Sequence, residues 1–272
     1  ADEEYGNGVH QWYCGMQDAG GVLQKGPWVG NRFHWYCLFD NEDYRITRGV
    51  KHRFQYDSQV KNGRGYYYPG TPEYKLMATG KNMDDVKVQE PVAPFNDGLT
   101  YTNSISSNCL AFTTKYADVT DPTIGRTDAY WPFLRYADIV LIYAEAQCEL
   151  NDGISQDAID ALNDIRIRSN AKEASVTGDG AIETKVELRS VIFEERAKEL
   201  AYEGDRRWDL LRWGIYLDVM NSLGGINEDG TRTPYDEGSI NKRREFRHLL
   251  YPLPSLEVST NMAIDKNNPG WN

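Results

Sequence analysis

The side chains with the most chemistry to offer are the aromatic groups Trp12-Tyr13, Trp28, Trp35-Tyr36 and Tyr66-Tyr67-Tyr68, set among Asn7, Gln11, Gln17, Asp18, Asn31, Arg32, Asn62 and Arg64. Flat rings beside amides, carboxylates and guanidinium groups suit sugars. The apolar C–H face of a sugar ring stacks on an aromatic plane, and its hydroxyl rim needs donors and acceptors. Trp28 follows Gly26-Pro27 and precedes Gly30, a turn that should project its side chain outward. If Tyr66-Tyr67-Tyr68 is a strand, alternation puts one ring opposite the other two, so at least one is exposed. The candidate ligand-binding set is therefore Trp28, Trp12, Trp35, Tyr66, Tyr67, Tyr68, Asn31 and Arg32. The same rings could equally plug a local core, and their spacing does not decide between the two.

Catalytic chemistry finds less support. A glycoside hydrolase needs two carboxylates, but with 41 acidic residues candidate pairs arise anywhere. His10, His34, His52 and His248 form no triad or metal motif, and there is no HExxH, no GxSxG and no phosphate-cradling glycine loop. Cys14, Cys37, Cys109 and Cys148 are widely separated and match neither zinc-ligand nor redox spacing. Cys148 lies on an apolar helical stripe and reads as a small buried hydrophobe, which leaves room for one disulfide among the other three. No catalytic residue, metal or cofactor is expected.

With 272 residues, 40% of them hydrophobic, the chain can bury a substantial core. Its net charge of -11 argues against a nucleic-acid partner, and the one basic run, Lys242-Arg243-Arg244, is short and followed by Glu245. The longest apolar run, Ile139 to Ala144, falls far short of the roughly 18 residues needed to span a membrane. The opening Ala1-Asp2-Glu3-Glu4-Tyr5 has neither an initiator Met nor a secretory pattern, so a processed or excerpted part of a longer protein is expected.

The elements that must position these residues differ in texture. Residues 1–130 carry turn signals at Lys61-Asn62-Gly63, Pro69-Gly70 and Asn96-Asp97-Gly98, predicting a loop-rich region with short strands and one short helix near Pro72–Met77. From about residue 131 the period becomes helical. A first helix is predicted from Phe133 to Leu150, with Ala137, Leu141, Ala144 and Cys148 as its stripe. A second starts after the cap Ser155 and carries Ala158, Leu162 and Ile165. A third runs from Glu183 to Tyr202, with Phe193, Ala197 and Leu200 buried and Gly204 as its stop. A fourth, through Trp208, Leu211, Ile215 and Val219, opens at Asp205 and closes at Gly224-Gly225. Two helical hairpins follow, similar to a repeat solenoid although the tetratricopeptide consensus is not met. Arg135, Asp138, Glu145 and Glu149 read as surface or inter-helix salt links, as do Glu195, Arg196 and Glu199 and the group Asp205, Arg206, Arg207 and Asp209. Their density points to a polar network between hairpins.

Four stretches taken together resemble the RagB/SusD family. They are Arg135 to Ala146 (RYADIVLIYAEA), Leu162 to Arg168 (LNDIRIR), Glu195 to Gly214 (ERAKELAYEGDRRWDLLRWG), and the ending Tyr251-Pro252-Leu253-Pro254 with Asn267-Asn268-Pro269-Gly270-Trp271. Their order and separation make the combination specific over residues 112–272, and Asp43-Tyr44-Arg45 and Lys115-Tyr116 fit loosely. The resemblance implies a mainly α fold of tetratricopeptide-like hairpins plus an irregular region. It also implies a cell-surface outer-membrane lipoprotein that binds glycans, or in some branches peptides, and caps a SusC-like TonB-dependent transporter. Family members are longer and start with a lipid-modified Cys, so the anchor and first repeats are expected outside this chain. A helical-repeat scaffold that binds only protein is the remaining alternative. The motif residues Trp208, Trp213 and Phe193 are expected to pack hairpins together, with Pro252, Pro254, Pro269 and Gly270 fixing the path of the last segment. Residues 1–130 would then hold the ligand and 131–272 the scaffold, in one compact unit.

Overall fold

A computed structural model of the chain describes residues 9–17, 23–25, 35, 38–40, 42–51, 53–54, 64–67, 100–103, 112–124, 126–221 and 244–271. The chain divides into two compact units, residues 1–79 with 83–203, and residues 80–82 with 204–272. The fold is mainly α, and its described strands are only two to four residues long.

The first unit opens with α1 (Val9–Cys14), β1 (Met16–Gln17) and β2 (Leu23–Lys25), the two strands pairing antiparallel. Helix α2 (Tyr44–Thr47) follows, then β3 (Val50–Lys51), which pairs with β7 (Phe112–Thr113). A three-stranded sheet joins β4 (Arg53–Phe54), β5 (Arg64–Tyr67) and β6 (Thr100–Asn103), with Tyr66 opposite Phe54 and Thr102. The expected helix near Pro72–Met77 lies outside the described residues.

Three longer helices form the frame: α3 (Tyr136–Leu150), α4 (Gln156–Arg168) and α5 (Lys185–Glu199). Helix α3 buries Ala137, Val140, Leu141, Ala144 and Cys148, and α4 buries Ala158, Ile159, Ala161, Leu162 and Ile165, so the first predicted hairpin forms with its predicted stripes. The start of α3 is three residues later than predicted, since Arg135 is extended and Phe133 is exposed. Ser155 caps α4 as expected, its hydroxyl accepting the Ala158 N–H at 3.3 Å. Cys14 and Cys148 are buried thiols outside any disulfide, while Cys37 and Cys109 lie outside the described residues. Burial pushes the Cys14 thiol up to about 12, which leaves it a hydrophobe rather than a nucleophile.

Helix α5 departs from expectation. It begins with a reciprocal cap in which the Thr184 hydroxyl accepts the Glu187 N–H at 3.1 Å and the Glu187 carboxylate accepts the Thr184 N–H at 3.0 Å. Its apolar stripe is Leu188 and Ile192, and the next buried positions are Glu195, Arg196, Lys198 and Glu199. Phe193 and Ala197, predicted to be buried, are only partly so. Charged residues take the inner face because cations from other segments meet them there. The helix stops at Glu199, and Tyr202 adopts the left-handed conformation at φ 69°.

In the second unit the single helix predicted after Asp205 is two, α6 (Arg206–Arg212) and α7 (Tyr216–Asn221). Gly214, at φ 73°, ends α6: its N–H bonds to the Leu211 carbonyl, and the Ile215 N–H to that of Leu210, both at 3.0 Å. Trp208 is 57% exposed rather than core, because the face of α6 that turns inward carries Asp209 and Leu210. Arg207 lies over the rings of Tyr216 and Tyr251, with centroids 4.8 and 4.3 Å away, and donates to the Tyr216 hydroxyl. A 3-10 turn (Phe246–Leu249) and α8 (Ser255–Thr260) complete the unit. The two halves of the terminal motif bind each other: Asn267 accepts the Leu253 N–H at 2.7 Å, and Asn268 donates to the Tyr251 carbonyl at 2.7 Å. Gly270, at φ 82°, passes so close to Arg247 that a Cβ would lie 2.6 Å from its side chain.

Candidate functional site

Glu195, Glu199 and Glu203 recur every fourth residue, which places three carboxylates along one side of α5 and the turn beyond it. All three are buried, Glu195 fully. Each is met by cations carried from elsewhere in the chain. Asp43 caps α2 by accepting the Arg45 N–H at 2.8 Å, and its carboxylate holds the Arg45 side chain at 2.7 and 3.0 Å. That grip aims Arg45 at Glu195, 2.6 Å away, and at Glu199, 3.3 Å away. Arg166, in the last turn of α4, takes the other Glu195 oxygen at 2.9 Å. Arg168 meets Glu199 at 2.7 Å. Arg135, just before α3, reaches Glu199 at 3.0 Å and makes a fork to Glu203, both bonds at 2.8 Å.

The carboxy-terminal end of α5 adds carbonyl groups that no intrahelical N–H can satisfy. Lys115 donates to the Glu199 and Ala201 carbonyls at 3.0 Å each and to the Glu203 carboxylate, while the Tyr116 hydroxyl donates to the Tyr202 carbonyl at 2.9 Å. Cations at this end also complement the helix dipole. Burial would raise the Glu199 carboxyl, but Arg168, with Arg45 and Arg135, outweighs it and holds the group below the usual carboxylate range. Burial lowers the Lys115 ammonium below its usual range despite the Glu203 charge.

Beside this network lies a cavity of about 300 Å³. Its aromatic lining is Trp35, Tyr44 and Tyr202, and its charged lining is Arg45, Lys115, Arg168, Lys198 and Glu199. Trp35 is fixed by its indole N–H, which donates to the Ala197 carbonyl at 2.9 Å, and meets Phe39 and Tyr202 edge-on at 4.6 and 5.6 Å. Tyr44 is seated by its N–H, which donates to the Ser169 carbonyl at 2.8 Å; the residue is 39% exposed, with the Arg48 guanidinium 3.9 Å from its ring centroid.

Of the residues singled out in the sequence as ligand contacts, Trp35 is the one whose side chain is described. Trp12 lies on α1, and Tyr66 and Tyr67 lie on β5, with side chains outside the described set. Trp28, Asn31, Arg32 and Tyr68 lie outside the described residues altogether. Tyr13, the neighbour of Trp12, joins Tyr116, Trp131 and Tyr202 in an aromatic cluster in which Tyr116 and Trp131 are stacked 5.5 Å apart. The cavity residues Arg168, Lys198 and Tyr202 belong to longer motifs that read as scaffold, and Tyr44 and Lys115 to short elements that fit the family pattern loosely.

Several of the expected salt links are present. Arg196 meets Asp138 at 2.8 Å, and Glu149 pairs with Arg189 and Lys185. Three of them, Glu195, Glu199 and Arg196, are interior rather than surface, and their sign in the sequence is that Glu195 and Glu199 continue the stripe begun by Leu188 and Ile192. Among the described residues no group of three or more His, Cys, Asp or Glu side chains could hold a metal ion, and no helix is long and apolar enough to cross a membrane.

The SusD family model matches residues 30–271. A curated relative, SusD-like protein P2 of Formosa agariphila, is 33% identical over 142 residues, which are 51% of this chain and 25% of that protein. A solved SusD homolog from Bacteroides thetaiotaomicron aligns with a TM-score of 0.55 at 23% identity, covering 85% of this chain and 41% of its own. A laminarin-binding SusD-like protein aligns at 0.53 and 18% identity, over 98% of this chain and 44% of its own. At these identities the structural likeness is one of fold. The matched part is about a quarter of the curated relative and less than half of either solved chain.

Proposed function

The chain belongs to the SusD family, and on that premise we propose that it binds glycan at the cell surface without performing chemistry on it, and passes the ligand to a SusC-like TonB-dependent transporter in the outer membrane. The carrying observation is the cavity beside Trp35, where Trp35, Tyr44 and Tyr202 offer rings and the surrounding side chains offer polar groups. The laminarin-binding relative of similar fold supports a glycan as the ligand class. The loop-rich residues Trp12, Trp28, Asn31, Arg32, Tyr66, Tyr67 and Tyr68 are proposed to extend the same binding surface. A lipid anchor belongs to the whole protein in this reading.

General acid–base chemistry needs a group free to gain or lose a proton near the working pH. Glu199, the one carboxylate among the described lining residues, is shared by Arg45, Arg135 and Arg168 and held ionised, while Glu195 and Glu203 are taken by Arg166 and Arg135.

Affinity electrophoresis against a panel of soluble glycans, with the incubated ligands then resolved by chromatography, tests the proposal. Retardation by at least one glycan that is recovered intact is the expected result. Cleavage of the bound glycan would overturn the non-catalytic reading, and retardation by none of them, with peptides bound instead, would move the ligand to the peptide class. The transporter step predicts co-purification of the whole protein with an outer-membrane barrel.

A further inference from the structure

Among the described residues the charged lining of the cavity beside Trp35 is one-sided: four cations, Arg45, Lys115, Arg168 and Lys198, and a single carboxylate, Glu199. This occurs in a chain of net charge -11. Glu199 is largely occupied, since one oxygen accepts from Arg135 and Arg168 and the other from Arg45. Neutral sugars carry hydroxyls that donate as well as accept, and a site built for them balances acceptors against donors. Here the groups left for a ligand are mostly donors. Arg168 is the clearest: its side chain is 53% exposed, and Glu199 is its described ion-pair partner. A guanidinium fork fits a planar carboxylate or a sulfate oxygen pair, with Tyr44 alongside to receive a sugar ring.

Building on the glycan-binding reading, we infer that the ligand of this cavity is an acidic glycan, one whose sugars carry a carboxylate or sulfate group that Arg168 engages. The other cations are committed: Arg45 to Asp43 and Glu195, Lys198 to Glu194 at 2.7 Å, and Lys115 to Glu203 and two carbonyl groups.

Calorimetric titration of the full chain with an oligogalacturonate, a sulfated galactan oligosaccharide and a laminarin oligosaccharide tests this. At least one acidic probe should bind about ten-fold or more tighter than the neutral one, a single charge-assisted contact being sufficient for that ratio. Which acidic probe wins separates carboxylate from sulfate. Arg168→Gln should weaken the acidic probe about ten-fold or more and laminarin, if it binds, by clearly less, and Arg168→Lys should restore part of the difference. Should Arg168→Gln not fold, the wild type still decides: its affinity for the acidic probe should fall several-fold between about 50 and about 500 mM NaCl while the neutral probe is unaffected. Laminarin bound as tightly as the acidic probes, or binding indifferent to both Arg168→Gln and salt, would overturn the acidic-glycan inference and leave glycan binding standing. No binding by any of the three, together with a glycan panel that fails, would overturn both.

Discussion

The α3–α4 hairpin and the carboxy-terminal half of α5 stabilise the same unit by opposite means. In the hairpin, Leu141, Ala144, Ala158 and Leu162 are fully buried and remove apolar surface from water. In α5 the equivalent inward positions are Glu195 and Glu199, whose burial is tolerable only because Arg45, Arg135, Arg166 and Arg168 converge on them. The hairpin's apolar cluster is comparatively local, drawn from residues 137–192 and completed by Leu188 and Ile192 of α5. The network joins residues 43, 45, 115 and 135 to residues 195–203, so it fixes the loop-rich part onto the helical frame and shapes the cavity between them.

The largest effect should come from breaking the ionic side. Glu195→Ala leaves Arg45 and Arg166 facing each other without their shared carboxylate and should cost about 3–5 kcal/mol in urea unfolding. A loss below about 1 kcal/mol would mean the network is solvated and the contrast with the hairpin is false. Leu162→Ala, on the apolar side, should cost about 3 kcal/mol through lost transfer energy and a cavity. The two should also differ in reach: Glu195→Ala is expected to increase hydrogen exchange around Tyr44 and Arg45, and Leu162→Ala around α3 and α4.

pH separates the two regions further. The folded Glu199 carboxyl sits below its usual range, so it contributes stability that is present above the unfolded carboxylate pKa of about 4.3 and is lost as pH falls through the lower folded value. The urea midpoint of the wild type should therefore drop between pH 5 and pH 3, and Glu199→Gln, less stable at pH 7, should drop less. Leu162→Ala should keep the wild-type pH slope. The smallest effect belongs to the outer pair Glu149–Arg189, both more than a third exposed, where Glu149→Ala should change stability by less than about 0.5 kcal/mol.

The difference in reach also explains what the sequence made legible. Helices α3 and α4 were readable to within three residues because stripe and cap lie within each segment. The Glu195 and Glu199 positions were recognised as inter-element links, but not as interior, because a charge is buried only if its partners arrive, and those come from up to about 150 residues away. The break at Gly214 was missed because the apolar period of Trp208, Leu211, Ile215 and Val219 runs through it unbroken, and only the left-handed glycine shows the chain has turned. Trp208 followed the same misreading: it belongs to the period but lies on the outer face of a short helix. At the candidate site, the aromatic signal placed Trp35 among the candidates, but the companions Tyr44, Tyr202 and Arg168 come from motifs whose helical half reads as scaffold.

Tyr44 offers the most direct test of the central claim, since it lines the cavity, is partly exposed and lies outside the carboxylate network. Titration calorimetry of wild type and Tyr44→Ala with the tightest-binding soluble glycan should show binding weakened about ten-fold or more, as expected for a lost stacking platform, with thermal stability nearly unchanged. Equal affinity in the two proteins would place the glycan elsewhere and contradict the assignment of this cavity.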